Sequence, residues 1–187
     1  MFTGRTGSGK SFCTLAAALH FVEKGTYEKV ILSRPMTQIG KHKLGTLPGS
    51  STEKLEPYLS NYTTNLEQFA GRRNVQSLID NYKLEFVPIQ LMRGASFNNC
   101  LIIIDEIQDL RQEDILAIGT RTGENSKIVM MGDLQQRDSP IAMKKTGLYH
   151  LTQSHVVKSS PLAACVELQK CERSATSRMF ARAFDED

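Results

Sequence analysis

Two groups of residues, about a hundred positions apart, have types and spacings suited to phosphate chemistry. The first is Gly4-Arg-Thr-Gly-Ser-Gly-Lys-Ser11, in which one glycine, four residues and then Gly9-Lys10-Ser11 fit the phosphate-loop pattern G-x-x-x-x-G-K-[ST]. Glycines let the backbone curl so that its N–H groups face phosphate oxygens, which side chains there would obstruct. A helix starting near Lys10 adds the positive end of its dipole. Lys10 is placed to neutralise the β- and γ-phosphates, and Ser11 offers a hydroxyl to magnesium. The second group is Asp105-Glu106, directly after the apolar run Cys100-Leu-Ile-Ile-Ile104. Asp105 there would hold magnesium and Glu106 would polarise an attacking water. Two adjacent charges at the end of a dry strand are costly unless a cation answers them. The competing explanation is a helix N-cap, which accounts for one acid better than for an adjacent pair.

Other residues are weaker candidates. Asp133, Gln135 and Gln136 occupy the corresponding place after the next apolar run, where a polar group can contact the attacking water or the γ-phosphate, although Gly132-Asp133 is also an ordinary turn. Arg121 and Arg173 could supply positive charge to a transition state. Arg34, Lys41, Lys43, Arg72, Arg73, Arg93, Lys144 and Lys145 can bind nucleic-acid phosphates if the fold gathers them on one face. Tyr58, Tyr62, Phe69 and Phe97 lie near some of these and could stack on bases, against the plainer expectation that aromatics at helical spacing are core.

The elements that must position these groups follow from periodicity. Leu15, Leu19 and Val22 repeat at helical spacing after Ser11, and Gly25 supplies a stop. Lys29-Val-Ile-Leu-Ser33 is a strand ended by Pro35, which puts Ser33-Arg34 at a carboxyl end. A long loop, 36–51, precedes a helix with Leu55, Leu59, Tyr62 and Leu66 on one face; Pro57 either sits in its first turn or divides it. A short helix is expected over 75–82, a weak strand over 84–88, the clearest strand over 100–104, a helix over 113–121 and a strand over 127–131. A helix over 143–151, a last strand over 164–168 and a terminal helix over 174–184 complete the chain. Strands alternating with helices predict an α/β fold with a mainly parallel sheet. The right-handed crossover rule then brings the strand ends named above to one edge. Only Met1-Phe2-Thr3 precede the phosphate loop, so its feeding strand is expected to be truncated.

The sequence has 187 residues and a net charge of +3, suited to one domain and mildly permissive of a nucleic-acid partner. It carries no apolar run long enough to span a bilayer and no signal-peptide pattern, so no membrane partner is expected. Its four cysteines lack metal spacing, and Cys13, Cys100 and Cys165 are expected as buried thiols of a soluble chain in a reducing compartment.

Beyond these local readings, the phosphate loop, Ile31-Leu-Ser-Arg-Pro35, Leu44-Gly-Thr-Leu-Pro-Gly49, Met92-Arg-Gly94, Ile103-Ile-Asp-Glu-Ile-Gln108, Thr120-Arg-Thr-Gly123 and Gly132-Asp-Leu-Gln-Gln136 come in the order and spacing of the PhoH-like family. The resemblance runs from Gly4 to about Ser174, leaving a C-terminal helix and acidic tail over 175–187 of a single domain. Its members resemble the first RecA-like domain of superfamily 1 helicases, so the resemblance implies a RecA-like P-loop fold with helices on both faces of the sheet. It also implies ATP and Mg2+ as cofactors, a link to RNA or single-stranded nucleic acid, and a homo-oligomer such as a hexameric ring. By position, Gly4, Arg5, Thr6, Gly7, Ser8, Gly9, Lys10, Ser11 and Phe12 form the nucleotide-binding segment, with Ser11 and Asp105 serving the metal. Glu106 serves the water, Gln108 and Gln136 sense the γ-phosphate, and Arg173 acts across a subunit boundary. Arg34, Lys41, Lys43 and Arg93 are carried over as nucleic-acid contacts. The expected location is cytoplasmic, in a host cell if the compact chain comes from a phage. Two other functions fit the motifs less fully: a partner protein that binds nucleotide without hydrolysing it, and a small-molecule kinase.

Overall fold

The computed structural model describes residues 1–5, 7–35, 51–136, 142–170, 174–176 and 179, with only the course of the backbone over 51–59 and at 61. In chain order the elements are β1 (Phe2–Gly4), α1 (Lys10–Glu23), β2 (Lys29–Ser33), α2 (Ser51–Ala70), α3 (Arg72–Asp80), β3 (Leu84–Phe86), α4 (Ile89–Met92), β4 (Cys100–Ile104), α5 (Gln112–Gly119), β5 (Lys127–Gly132), α6 (Gly147–Gln153), α7 (His155–Ser159) and β6 (Val166–Leu168). Short 3-10 turns follow β4 at Ile107–Asp109 and precede α6 at Met143–Lys145.

The six strands form one sheet in the order β3-β2-β4-β5-β1-β6, with every pair parallel. The three residues before the phosphate loop therefore do make a strand, a short one: Phe2 pairs with Met131 on one side and Val166 on the other. Alternate residues along the strands point to opposite faces, and each face has its own apolar layer. Val30, Leu32, Leu101 and Ile103 pack with Leu15, Leu19, Tyr62 and Leu66 of α1 and α2. Ile31, Ile102 and Ile104 pack with Ile115, Ile118 and Leu148 of α5 and α6. Burial of all five residues of β4 on both faces is why its sequence shows no alternation. This is the α/β class, with helices on both sheet faces, that the motif order predicts.

Several local expectations are corrected. α2 passes Pro57 in one piece, its lost backbone bond offset by the apolar face that docks Tyr62 and Leu66. The helix expected over 143–151 splits where the Thr146 side chain accepts a hydrogen bond from the Tyr149 N–H and so starts α6. α4 and α7 are too short to show periodicity. Cys100 is buried, but Cys13 and Cys165 are exposed. Cys13 lies off the stripe of Leu15, Leu19 and Val22 that α1 buries, and Cys165 leads into the edge strand β6. Of the helix expected over 174–184, residues 175, 176 and 179 are described and are helical. No helix among the described residues is long and apolar enough to cross a membrane.

α1 ends in a Schellman arrangement: Gly25 has φ 70°, its N–H reaches the Val22 carbonyl, and the Thr26 N–H reaches that of Phe21. Gly4 serves the sheet. It pairs with Leu168 at φ 132°, and a Cβ there would overlap the Leu168 carbonyl oxygen. Gly4→Ala should therefore destabilise the fold by about 3 kcal/mol. Gly119→Ala, where a Cβ meets no atom within 4 Å, should be nearly neutral. Thermal melting of both variants checks this; equal midpoints would show that β6 does not constrain β1.

Candidate nucleotide site

The phosphate loop leaves β1 and turns into α1 at Gly9, whose left-handed φ of 89° suits glycine. Gly7 has φ 81°, and the Ser8 N–H closes the turn onto the Arg5 carbonyl at 3.1 Å. Lys10 is buried, and its Nζ donates to the carbonyls of Gly4 at 2.5 Å and Arg5 at 3.0 Å. Its ammonium group is thus held over the mouth of the loop. Thr6 lies outside the described residues.

Asp105 follows β4 and is 7% exposed. Its backbone N–H donates to the Ser33 carbonyl, tying the ends of β4 and β2 together. Its Oδ2 accepts from Ser11 Oγ at 2.8 Å and from the Tyr62 hydroxyl at 3.1 Å, and its Oδ1 accepts from the Glu106 N–H at 2.9 Å. The phosphate loop and the acidic pair are therefore in direct contact. No ion pair to Asp105 or Glu106 is found among the described residues' salt bridges.

Glu106 has a left-handed backbone, φ 56°, uncommon for a residue with a side chain. It stands at the N-cap of the 3-10 turn Ile107–Asp109 without capping it through its side chain, so capping does not explain the acidic pair. Burial pushes the Glu106 carboxyl above its usual pKa, opposed by the hydrogen bond from Gln108. Gln108 Nε2 donates to Glu106 Oε2 at 2.5 Å, and its Oε1 accepts from the Asp133 N–H at 3.2 Å. Only 3% exposed, Gln108 joins the ends of β4 and β5. A Cβ on Gly132 would stand 2.7 Å from that Oε1, so the glycine makes room for the amide.

The other candidates separate. The Asp133 side chain accepts from the Gln135 N–H at 3.0 Å, which is the turn geometry, and Gln136 is exposed beyond the end of β5. Arg34 follows β2 at the same sheet edge as Asp105; its Nε and the Ser33 Oγ are buried without a hydrogen-bond partner among the described residues. Its charge acts on both Tyr62 and Glu106. Arg93 pairs with Asp114 of α5. Arg121 and Phe97 meet through a backbone hydrogen bond next to the start of β4, at the opposite sheet edge from the acidic pair, which removes both from this site. Phe12, exposed beside the loop, packs at a tilt against Phe69 of α2, with ring centroids 4.2 Å apart and planes 51° from parallel. Tyr62 is core in its ring, and its hydroxyl is given to Asp105, so it is no stacking surface for bases. Lys41, Lys43, Tyr58 (for its side chain) and Arg173 lie outside the described residues.

The donor set suits a magnesium nucleotide: a serine hydroxyl and a buried carboxylate, hard oxygens that sit together, beside a lysine at a glycine loop. No group of three or more His, Cys, Asp or Glu side chains that could hold a metal ion occurs among the described residues.

The sequence matches the model of the family described as PhoH-like protein over residues 1–185. It is 33% identical over 184 residues to protein PhoH2 of Mycolicibacterium smegmatis, covering 98% of this chain and 42% of that one. It is 35% identical to protein PhoH2 of Bacillus subtilis, covering 95% of this chain and 41% of that one. The chain thus spans about two fifths of the length of these relatives. Among solved structures it is similar to a Pif1 helicase from Candida albicans, with TM-score 0.46 and 14% identity over 98% of this chain and 39% of that one. It is also similar to a Bacteroides Pif1 in complex with ADP-AlF4, with TM-score 0.38 and 17% identity over 96% of this chain and 40% of that one.

Gln108→Leu would leave the Asp133 N–H and the Glu106 carboxylate each short of a partner in a buried place. It should cost about 1–3 kcal/mol and lower the melting temperature by about 2–12 °C. An unchanged melting curve would mean that the bridge between β4 and β5 carries no stability.

Proposed function

The chain belongs to the PhoH-like protein family, and from that premise we propose that it is a magnesium-dependent ATPase whose turnover is coupled to RNA or single-stranded DNA in a homo-oligomer. The observation that carries the ATPase reading is the 2.8 Å contact between Ser11 and Asp105, which unites the phosphate loop with a buried carboxylate. Gly7 and Gly9 shape the loop, and Gly4, Arg5, Thr6, Ser8 and Phe12 complete the binding segment. Lys10 places positive charge at the β- and γ-phosphates, and Ser11 and Asp105 hold the metal between them. Magnesium, when bound, neutralises phosphate charge. Glu106 accepts a proton from water as the water oxygen attacks the γ-phosphorus and the bond to the bridging oxygen breaks, releasing ADP and phosphate.

Gln108 fits a role as sensor, because it holds Glu106 at one end and the turn after β5 at the other. Gln136, Arg173 and a contribution of Arg173 from a neighbouring subunit are carried from the resemblance, as are Lys41, Lys43 and Arg93 as nucleic-acid contacts. The coupling to nucleic acid finds support in Arg34, whose position at the end of β2 lets one cation lie near Glu106 and near a strand crossing the same sheet edge.

Lys10→Ala should abolish ATP turnover, and Glu106→Gln should lower it by about 10²-fold or more while nucleotide still binds. Phosphate release by the wild-type chain and both variants, with and without single-stranded RNA, is the test. Turnover unchanged in Lys10→Ala would sink the proposal. Nucleotide binding with no turnover in the wild type would favour the non-hydrolysing binding protein.

A further inference from the structure

We propose that Tyr62 is a positioning residue of the metal site: its hydroxyl fixes the Asp105 carboxylate and so ties helix α2 to the nucleotide. The inference rests on the nucleotide-binding reading above and extends it to an element outside the phosphate motifs. Asp105 Oδ2 has two donors, Ser11 Oγ at 2.8 Å and the Tyr62 hydroxyl at 3.1 Å. Ser11 belongs to the loop itself, whereas Tyr62 arrives from the middle of α2.

The ring of Tyr62 is 4% exposed and packed in the same apolar layer as Leu15 and Leu66. Phenylalanine would fill that volume equally well. The hydroxyl is what packing does not require, and a buried hydroxyl needs a partner. Because the oxygen is rigidly attached to a ring locked in the core, it can hold the carboxylate in one rotamer. An ionised carboxylate has about four acceptor positions. Tyr62, Ser11 and the Glu106 N–H use three of them, so the fourth is aimed in a direction that these donors set. A carboxylate freed of Tyr62 can swing about its Cβ–Cγ bond and meets the metal in several orientations, one of which is productive.

α2 also touches the binding segment at Phe12, through the tilted ring contact with Phe69. The helix therefore contacts the site at two points, one polar at the metal carboxylate and one apolar beside the loop. A displacement of α2 would be felt at Asp105 through a single hydrogen bond.

The test is Tyr62→Phe, which removes one oxygen and keeps the ring. A fluorescent ADP analogue is titrated with Mg2+ against the full chain, and phosphate release is measured in parallel. The expected result is a rise of about 5–10-fold in the Mg2+ concentration for half-maximal binding, the size of one ordinary net hydrogen bond. Leu66→Val, a packing change in the same helix, should leave that concentration within about twofold of wild type, an allowance for additivity between separate sites. In the Asp105→Asn background Tyr62→Phe should add nothing further, and this cycle decides the matter if Tyr62→Phe alone folds poorly. An unshifted Mg2+ midpoint in a chain that still hydrolyses ATP would overturn the role of Tyr62 alone. A shifted midpoint without turnover would overturn the ATPase reading alone. A wild type that binds the analogue without dependence on Mg2+, or not at all, overturns the positioning role.

Discussion

Ser11 and Asp105 meet although their strands are not neighbours. β1, which feeds the phosphate loop, is separated from β4 by β5 in the sheet. The 2.8 Å hydrogen bond therefore spans the carboxyl end of β5, and everything on that edge has to respect it. β5 must end low enough to pass beneath, which it does at Gly132, where a side chain would strike Gln108 and Leu148. α1 must begin at Lys10, so that Ser11 points across the sheet from the first turn. The parallel register of β2 with β4 sets the height of Asp105, through the bond from its N–H to the Ser33 carbonyl.

The same edge concentrates most of the buried polar groups among the described residues, with Thr14 of α1 and Thr146 at the start of α6 lying elsewhere. Ser8, Lys10, Ser33, Asp105, Gln108 and Asp133 are buried, and all lie at carboxyl ends of strands or in the loop. Burial of an unpaired carboxylate is strongly unfavourable, and here it is tolerated because three donors converge on Asp105 and one on Glu106. The Ser8 hydroxyl, the Ser33 hydroxyl and the Arg34 Nε have no hydrogen-bond partner among the described residues. Such groups lose solvation without compensation, and a phosphate at this edge would find donors ready to use.

Much of this was legible in the sequence. The unbroken apolar run of β4 announced a strand covered on two faces, and the two acids after it marked the end of that strand. The glycine spacing marked the phosphate loop, and the helix pattern after Ser11 with the acidic pair downstream decided it against a chance turn. What was not legible depended on pairing across the fold. The short stretch before the phosphate loop reads as a truncated strand, and a single sequence does not show that β5 and β6 flank those residues on both sides. Tyr62 looked like core by its spacing with Leu66, which is true of its ring, but its hydroxyl partner lies 43 residues away. Cys13 and Cys165 are apolar in context and exposed in fact, because local hydrophobicity does not report which side of a helix or which edge of a sheet is covered. Gln108 carried no local signal beyond its place in a family motif, since its value lies in joining two strands.

The placement of β1 also bears on the order in which the chain can mature during synthesis. β1 and its loop leave the ribosome well before their partners, since Phe2 pairs with Met131 and Val166. Until both have emerged, the glycine-rich segment has no neighbour to hold it extended and α1 has no anchored first turn. The phosphate loop then takes shape late, although it is made before the strands that flank it. Contacts so distant in sequence slow folding, and for that interval the loop is an unpaired strand edge open to chaperones and to other chains. A nucleotide that recognises the finished loop would act on the last step, drawing the completed sheet out of the ensemble that precedes it.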